Sequence, residues 1–446
     1  MGFSVAIASL APLLMGISTL MKAQVPLLPI STDYPSLSKV QEPAMRVDNR
    51  TVGTIMTQNS STGKSWTNAQ VVYTLPDKNL NTTAFSPEGE ILVTGGSREE
   101  LTSDGRTTTG RIENTIKFWN LNTGEAIRRF AYYSDSSLSA NLLKLIYSPD
   151  GQILASSTFG NDDKKIQTIR LWNLKTGQAL RTIKIDHKTS LNSNDSNSDL
   201  YGPTTAFSSD GRTLVNTGSG NPTIQLWNVS PESNPASNTQ ESPRQTLTGH
   251  SGEIASLAFT PDSQILISSS ADKTIKLWNL KTGQLIRTLR GHTARVNSLA
   301  ISSDSQLLAS GSTDKTIKLW NLKTGQLIHT IVDGGEVGKI RFSPDGKNLI
   351  TQFLVPNSVD ARIQVWDVRT GKLIHSSPNI TWRANTDISP DGKTYVTAGT
   401  GASFQVLDLM TDKEIKSFRE EQFWALFSPN GQSLVVQGQD GMKIVR

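Results

Sequence analysis

The chain has 446 residues, a formal net charge of +5 and no cysteine. Without a thiol it has no disulfide, no thiolate metal site and no acylated lipoprotein anchor. The small positive excess comes with no recognised nucleic-acid module, and nucleic acid is not expected as a partner.

Residues 1–21 (MGFSVAIASLAPLLMGISTLM) contain no charged side chain, and Lys22 and Ala23 follow. The run has the length of a secretory signal peptide or a membrane anchor, although it lacks a basic n-region and has Met21 three places before a cleavage after Ala23. Export with cleavage of residues 1–23 is the favoured expectation. Retention through an uncleaved anchor is the first alternative, and a mis-assigned start codon in a cytoplasmic protein is the second. Residues 24–68, with Pro, Ser, Thr and Asn and few apolar runs, read as a flexible linker.

From residue 69 onward the chain repeats itself. Residues 271–288 (ADKTIKLWNLKTGQLIRT) return at 313–330 (TDKTIKLWNLKTGQLIHT), which places Trp278 and Trp320 42 residues apart. Related copies stand at 115–130, 168–183 and 362–376, with a looser one at 223–229. Weaker copies at 403–418 and 442–446 carry Leu407 and Val445 in the Trp place. Six of the nine tryptophans occupy the repeat position, a regularity that composition alone does not produce. Upstream of each is an apolar run ending in a turn such as SPDG (148–151, 343–346 and 389–392). There Pro presets φ, Asp bonds its own backbone and Gly accepts positive φ. Each unit reads as four short strands, and a period of this size predicts a radial array.

Residues 70–75 (QVVYTL) align with a fourth strand, whereas the last unit has only three. The simplest closure pairs that first strand with the last unit and so removes two open sheet edges. The fold expected is an all-β propeller over 69–446 with eight blades; seven is the alternative if one degenerate unit is not a blade. Insertions fall in the first three blades, at 97–114, 187–202 and 230–245. The lysines of the best repeats (Lys273, Lys276, Lys281, Lys315, Lys318, Lys323) read as a solvated rim.

These repeats resemble WD40 repeats of the bacterial type, in which the Trp-Asp pair often becomes Trp-Asn. The resemblance covers about residues 70–446 and is most specific in blades four and five. It implies a structural tetrad of His, Ser, Asp and Trp in each well-preserved blade. Here these are His250, Ser268, Asp272 and Trp278, and His292, Ser310, Asp314 and Trp320. Blade six keeps Asp360 and Trp366 without the His. A Ser/His/Asp set of this kind is a buried lock and not a catalytic triad.

No HExxH, Walker-type loop, GxSxG or EF-hand loop is present, so neither catalysis, a cofactor nor a metal is expected. The resemblance implies a non-enzymatic, monomeric scaffold that binds a protein or peptide through the loops preceding each first strand. Tyr201, Arg295 and Trp382 are candidate partner-binding residues there, being of types enriched at hot spots, and the adjacent Arg383, Phe423 and Trp424 join them. A second reading of Trp382 and Trp424 stands beside this one: they replace packing lost at Leu407 and Val445. An exported propeller enzyme or a polysaccharide-binding module is the alternative function.

Overall fold

A computed structural model describes residues 65–446 except 77–79, 102–107, 134–139, 161–165, 187–203, 218–221, 230–241, 333–334, 355–359, 382–385, 399–402, 420–421 and 439–440. Residues 1–64, and most of the segments 187–202 and 230–245, therefore lie outside the described residues. All regular structure among the described residues is β, arranged as eight antiparallel sheets. Each is a blade; blade four, for example, comprises Ile254–Phe259, Ile265–Ser270, Ile275–Asn279 and Leu285–Leu289. Blade six carries a fifth short strand, Ile380–Thr381, paired to the start of Asp360–Asp367.

Ring closure follows the strand count. Val71–Leu75 pairs antiparallel with Gly441–Val445 as the outer strand of blade eight, matching Val71 to Val445 and Leu75 to Met442. The Gln70 N–H donates to the Arg446 carbonyl at 2.8 Å, and the Arg446 N–H returns a bond at 3.0 Å.

The core lies between the blades. One apolar cluster sits at each junction of consecutive blades, eight in all. In blade four, Ile275 and Leu277 face blade five, whereas Trp278 faces blade three. A strand with both faces covered has no solvent side, which corrects one expectation about charge. Lys276 and Lys318 are only 7% and 8% exposed. Each lies in a seam and donates from Nζ to the outer-strand hydroxyl of Thr288 or Thr330 at 3.0 Å. The solvated lysines are those of the turns, Lys273, Lys281, Lys315 and Lys323. Seam packing also explains Gly311, whose added Cβ would collide with Val337 and Ile340 of blade six.

The segment at 97–114 is an extension of a hairpin. Ile91–Leu101 and Thr108–Asn120 pair continuously from Ile91 with Asn120 to Glu99 with Ile112, and again at Leu101 with Thr108. Blade one therefore stands taller than blade four, whose second and third strands have six and five residues.

Candidate functional site

The polar groups of the best repeats turn inward. In blade four, Trp278 Nε1–H donates to Ser268 Oγ at 2.8 Å, and that Oγ lies 2.8 Å from His250 Nε2. His250 Nδ1 is 2.7 Å from Asp272 Oδ2. Asp272 also accepts from the Thr274 hydroxyl at 2.6 Å and from the Ser251 N–H at 3.0 Å. Blade five repeats the set, with 2.9 Å from Trp320 to Ser310, 2.8 Å from Ser310 to His292 and 2.9 Å from His292 to Asp314.

Burial lowers both histidine pKa values, and this outweighs the raising effect of the carboxylate beside each ring. Burial alone would raise the two aspartates; hydrogen bonds from Thr274, His250 and Ser251 outweigh it at Asp272, and those from Thr316, Thr293 and His292 take Asp314 to about 2. The consistent state is a neutral imidazole donating through Nδ1–H to an ionised carboxylate, with its Nε2 accepting from the serine. The Ser–His–Asp connectivity is that of a hydrolytic triad. However, Ser268 and Ser310 are 0% exposed, and each Oγ already accepts an indole N–H, so neither offers a nucleophile to solvent.

The Trp–hydroxyl half of the lock recurs where no His stands. Trp119 donates to Thr94 at 2.9 Å, Trp172 to Ser156 at 2.9 Å and Trp366 to Thr351 at 3.0 Å. Blade three has Asn216 at this position. Its amide bonds Gln167 of blade two at 3.0 Å and accepts from Thr205 at 3.2 Å, leaving the buried Trp227 Nε1 with no partner. The hydroxyls were findable in sequence, because each stands in the second strand at the register of Ser268.

The degenerate blades restore aromatic volume from elsewhere. In blade seven Tyr395 pairs across the ladder with Leu407, where blade four pairs Leu266 with Trp278. The large ring has moved to the facing strand; Tyr395 is buried and donates to Asp412 Oδ1 at 2.9 Å. Asp412 Oδ2 also lies 3.0 Å from His375 Nε2 of blade six. In the seam between blades seven and eight, where Val445 replaces Trp, Trp66 is 2% exposed and packs edge-on to Phe427 at 5.4 Å. Packing thus reaches back into residues that the sequence assigns to the linker.

Two buried charges link the same blades near the axis. Arg341 of blade six donates to the Ile388 and Ser389 carbonyls of blade seven at 2.8 and 2.7 Å. Asp387 of blade seven accepts the Phe427 N–H of blade eight at 2.9 Å; burial raises its pKa against the lowering effects of that bond and of Arg341.

On the face entered by each first strand, Arg295 bonds Glu253 of the preceding blade at 2.7 Å, both largely shielded from solvent. Antiparallel order puts the blade-one hairpin on this face as well, since the turn between second and third strands returns to the side where first strands begin. There Glu113 is flanked by Arg98 at 2.5 Å and Arg129 at 2.8 Å, and Leu101 is exposed. Of the other candidate partner-binding residues, Tyr201, Trp382 and Arg383 lie outside the described residues. Phe423 and Trp424 lie on the strand Gln422–Phe427, and only its backbone is described there.

Residues 241–279 and 283–321 match the family model for the WD domain, G-beta repeat. They carry the two complete tetrad strand pairs. These segments are WD40 repeats. Relatives are similar over part of the chain. Periodic tryptophan protein 2 homolog of Dictyostelium discoideum is 27% identical over 211 residues, covering 47% of this chain and 18% of the relative. Protein FIZZY-RELATED 3 of Arabidopsis thaliana is 26% identical over 178 residues, covering 40% and 31%. Eukaryotic translation initiation factor 3 subunit I of Aspergillus niger is 48% identical over 42 residues, one repeat period, covering 9% and 12%. The chain thus spans less than a third of each of these relatives. All three are eukaryotic proteins and lend no support to a bacterial subtype.

Proposed function

We propose that this WD40 propeller is a non-catalytic scaffold that binds a protein partner outside the cytoplasm. The observation that carries this reading is the direction of its polar chemistry. The Ser, His and Asp groups of blades four and five are spent inside the blades, while the extended blade-one hairpin rises from the face entered by the first strands. Relatives such as the Arabidopsis transcriptional corepressor LEUNIG_HOMOLOG, 26% identical over 167 residues, are regulators by name, which supports an interaction role. Location outside the cytoplasm rests on the uncharged residues 1–21 alone.

The test is capture by crosslinking from the native compartment with a C-terminally tagged chain. The pair Trp382→Ala and Arg383→Ala, and separately Leu101→Asp on the hairpin, are expected to abolish capture with the melting temperature unchanged. Undiminished capture by both variants would refute the assignment of this face. Recovery of the protein only in the cytoplasm would refute export.

A further inference from the structure

The opposite face carries a different pattern. Turns between third and fourth strands lie there, each followed by the start of an outer strand. In blades four, five and six that start is a Leu-Ile pair: Leu285 and Ile286, Leu327 and Ile328, Leu373 and Ile374. All six are 44–47% exposed, too much for seam packing and recurring at one height on three consecutive blades. Beside them the turns place exposed cations, Lys281, Lys323, Arg369 and Lys372. In blade seven the corresponding turn presents Met410, also exposed, with Lys413.

The chain enters the ring on this face and next to this arc. Gln70 is bonded to Arg446, which follows the third strand of blade eight, and third strands end at these turns. Trp66 is wedged between blades seven and eight. Gln70 therefore lies on the same side as the Leu-Ile arc, and residues 1–21 of the sequence are free of charge.

We propose that the outer lower edge of blades four to seven is a contact for an anionic lipid surface. It rests on the alternative reading of residues 1–21 as an uncleaved membrane anchor, which supplies a second membrane signal. Apolar side chains flanked by lysines suit the boundary between acyl chains and headgroups, and stable attachment generally needs two such signals. The charge pattern also selects the edge over the flat face. Asp262, Asp304, Asp345 and Asp391 of the inner turns ring the axis on this side, and a face-on approach would press them against the headgroups. In the edge-on pose the partner-binding face points away from the bilayer.

The test is co-sedimentation of the full chain with vesicles of equal parts phosphatidylserine and phosphatidylcholine, against phosphatidylcholine alone. Two variants accompany it: Ile286→Ser with Ile328→Ser and Ile374→Ser, and Lys281→Glu with Lys323→Glu and Lys372→Glu. The unaltered chain is expected to prefer the anionic vesicles, and each variant to lose about tenfold or more of that preference while keeping its binding to the neutral ones. Equal binding of the unaltered chain to both vesicles overturns the arc and leaves the N-terminal reading standing; binding to neither overturns both. A variant that binds anionic vesicles as before, or that merely changes from dimer to monomer on sizing, also overturns the proposal, the second outcome assigning the arc to a copy of the chain.

Discussion

Ser268 shows how much one hydroxyl can carry. It accepts from Trp278 and bonds His250, so Ser268→Ala leaves two buried polar groups without partners at once. At about 1–3 kcal/mol for each orphaned group, the variant should lose roughly 3 kcal/mol in urea unfolding; a loss below about 1 kcal/mol would deny the lock its energetic role. Trp227 offers the control. Its indole nitrogen has no partner, so Trp227→Phe removes volume but no bond, whereas Trp278→Phe removes both. The second substitution should cost more than the first by about 1 kcal/mol. The histidines also set a pH dependence. Their folded pKa values lie below the unfolded value near 6.5, so the unfolded chain binds more protons as acid is added. Stability should be full above that value and fall as pH drops through the window beneath it. A second loss follows between 3.8 and about 2, where Asp314 is protonated. Urea midpoints measured from neutral to acid pH read the first window, and substituting both His250 and His292 by Gln should flatten it; an unchanged slope would place the effect elsewhere.

Among the elements, the seams decide tolerance. Trp66→Ala opens the gap beside Phe427 and should cost about 3–5 kcal/mol, as large aromatic truncations do in a core. An effect near zero would mean that Trp66 is not part of the fold. Tyr395→Phe keeps the volume and removes only the bond to Asp412, so its cost should stay near 1 kcal/mol, whereas Tyr395→Ala should approach the Trp66→Ala value. The same elements mark where reading the sequence stops. Strand order, turns and the repeated tryptophans were legible because each depends on neighbours within some forty residues of chain. The exchange of Trp for Tyr395 was not, because it moves the ring between two paired strands and shows only when Tyr395 is matched to Leu407. Trp66 was hidden for another reason: it precedes the first repeated unit and reaches its partner Phe427 only through ring closure. The buried lysines were misread because a charge inside a strand looks solvated unless both of its faces are known to be covered.

The molecule as a whole is held shut by one strand. Val71–Leu75 completes blade eight, and Leu75, Met442 and Ile444 share a cluster with Phe85, Leu92 and Trp119 of blade one. Deleting residues 65–75 would expose that cluster and an unpaired strand edge together. The truncated chain should self-associate on light-scattering chromatography and lose its single cooperative melt; a monomeric, cooperatively melting product would show that the last seam does not need the strand. Closure also sets the molecule's polarity. Gln70 enters the ring on the side of the Lys281 and Lys323 turns, and the blade-one hairpin and the Glu253–Arg295 pair lie on the other.

By itself the sequence determined the repeating unit, its four strands, its turns and the closing strand, because periodic apolar spacing and turn chemistry act over short stretches of chain. It also carried the tetrad residues, through their resemblance to a known repeat. Tertiary structure alone decided what fills each seam, which lysines are buried and which residues share a face. Those outcomes are contacts between blades, and a blade's neighbour supplies atoms that local sequence does not contain.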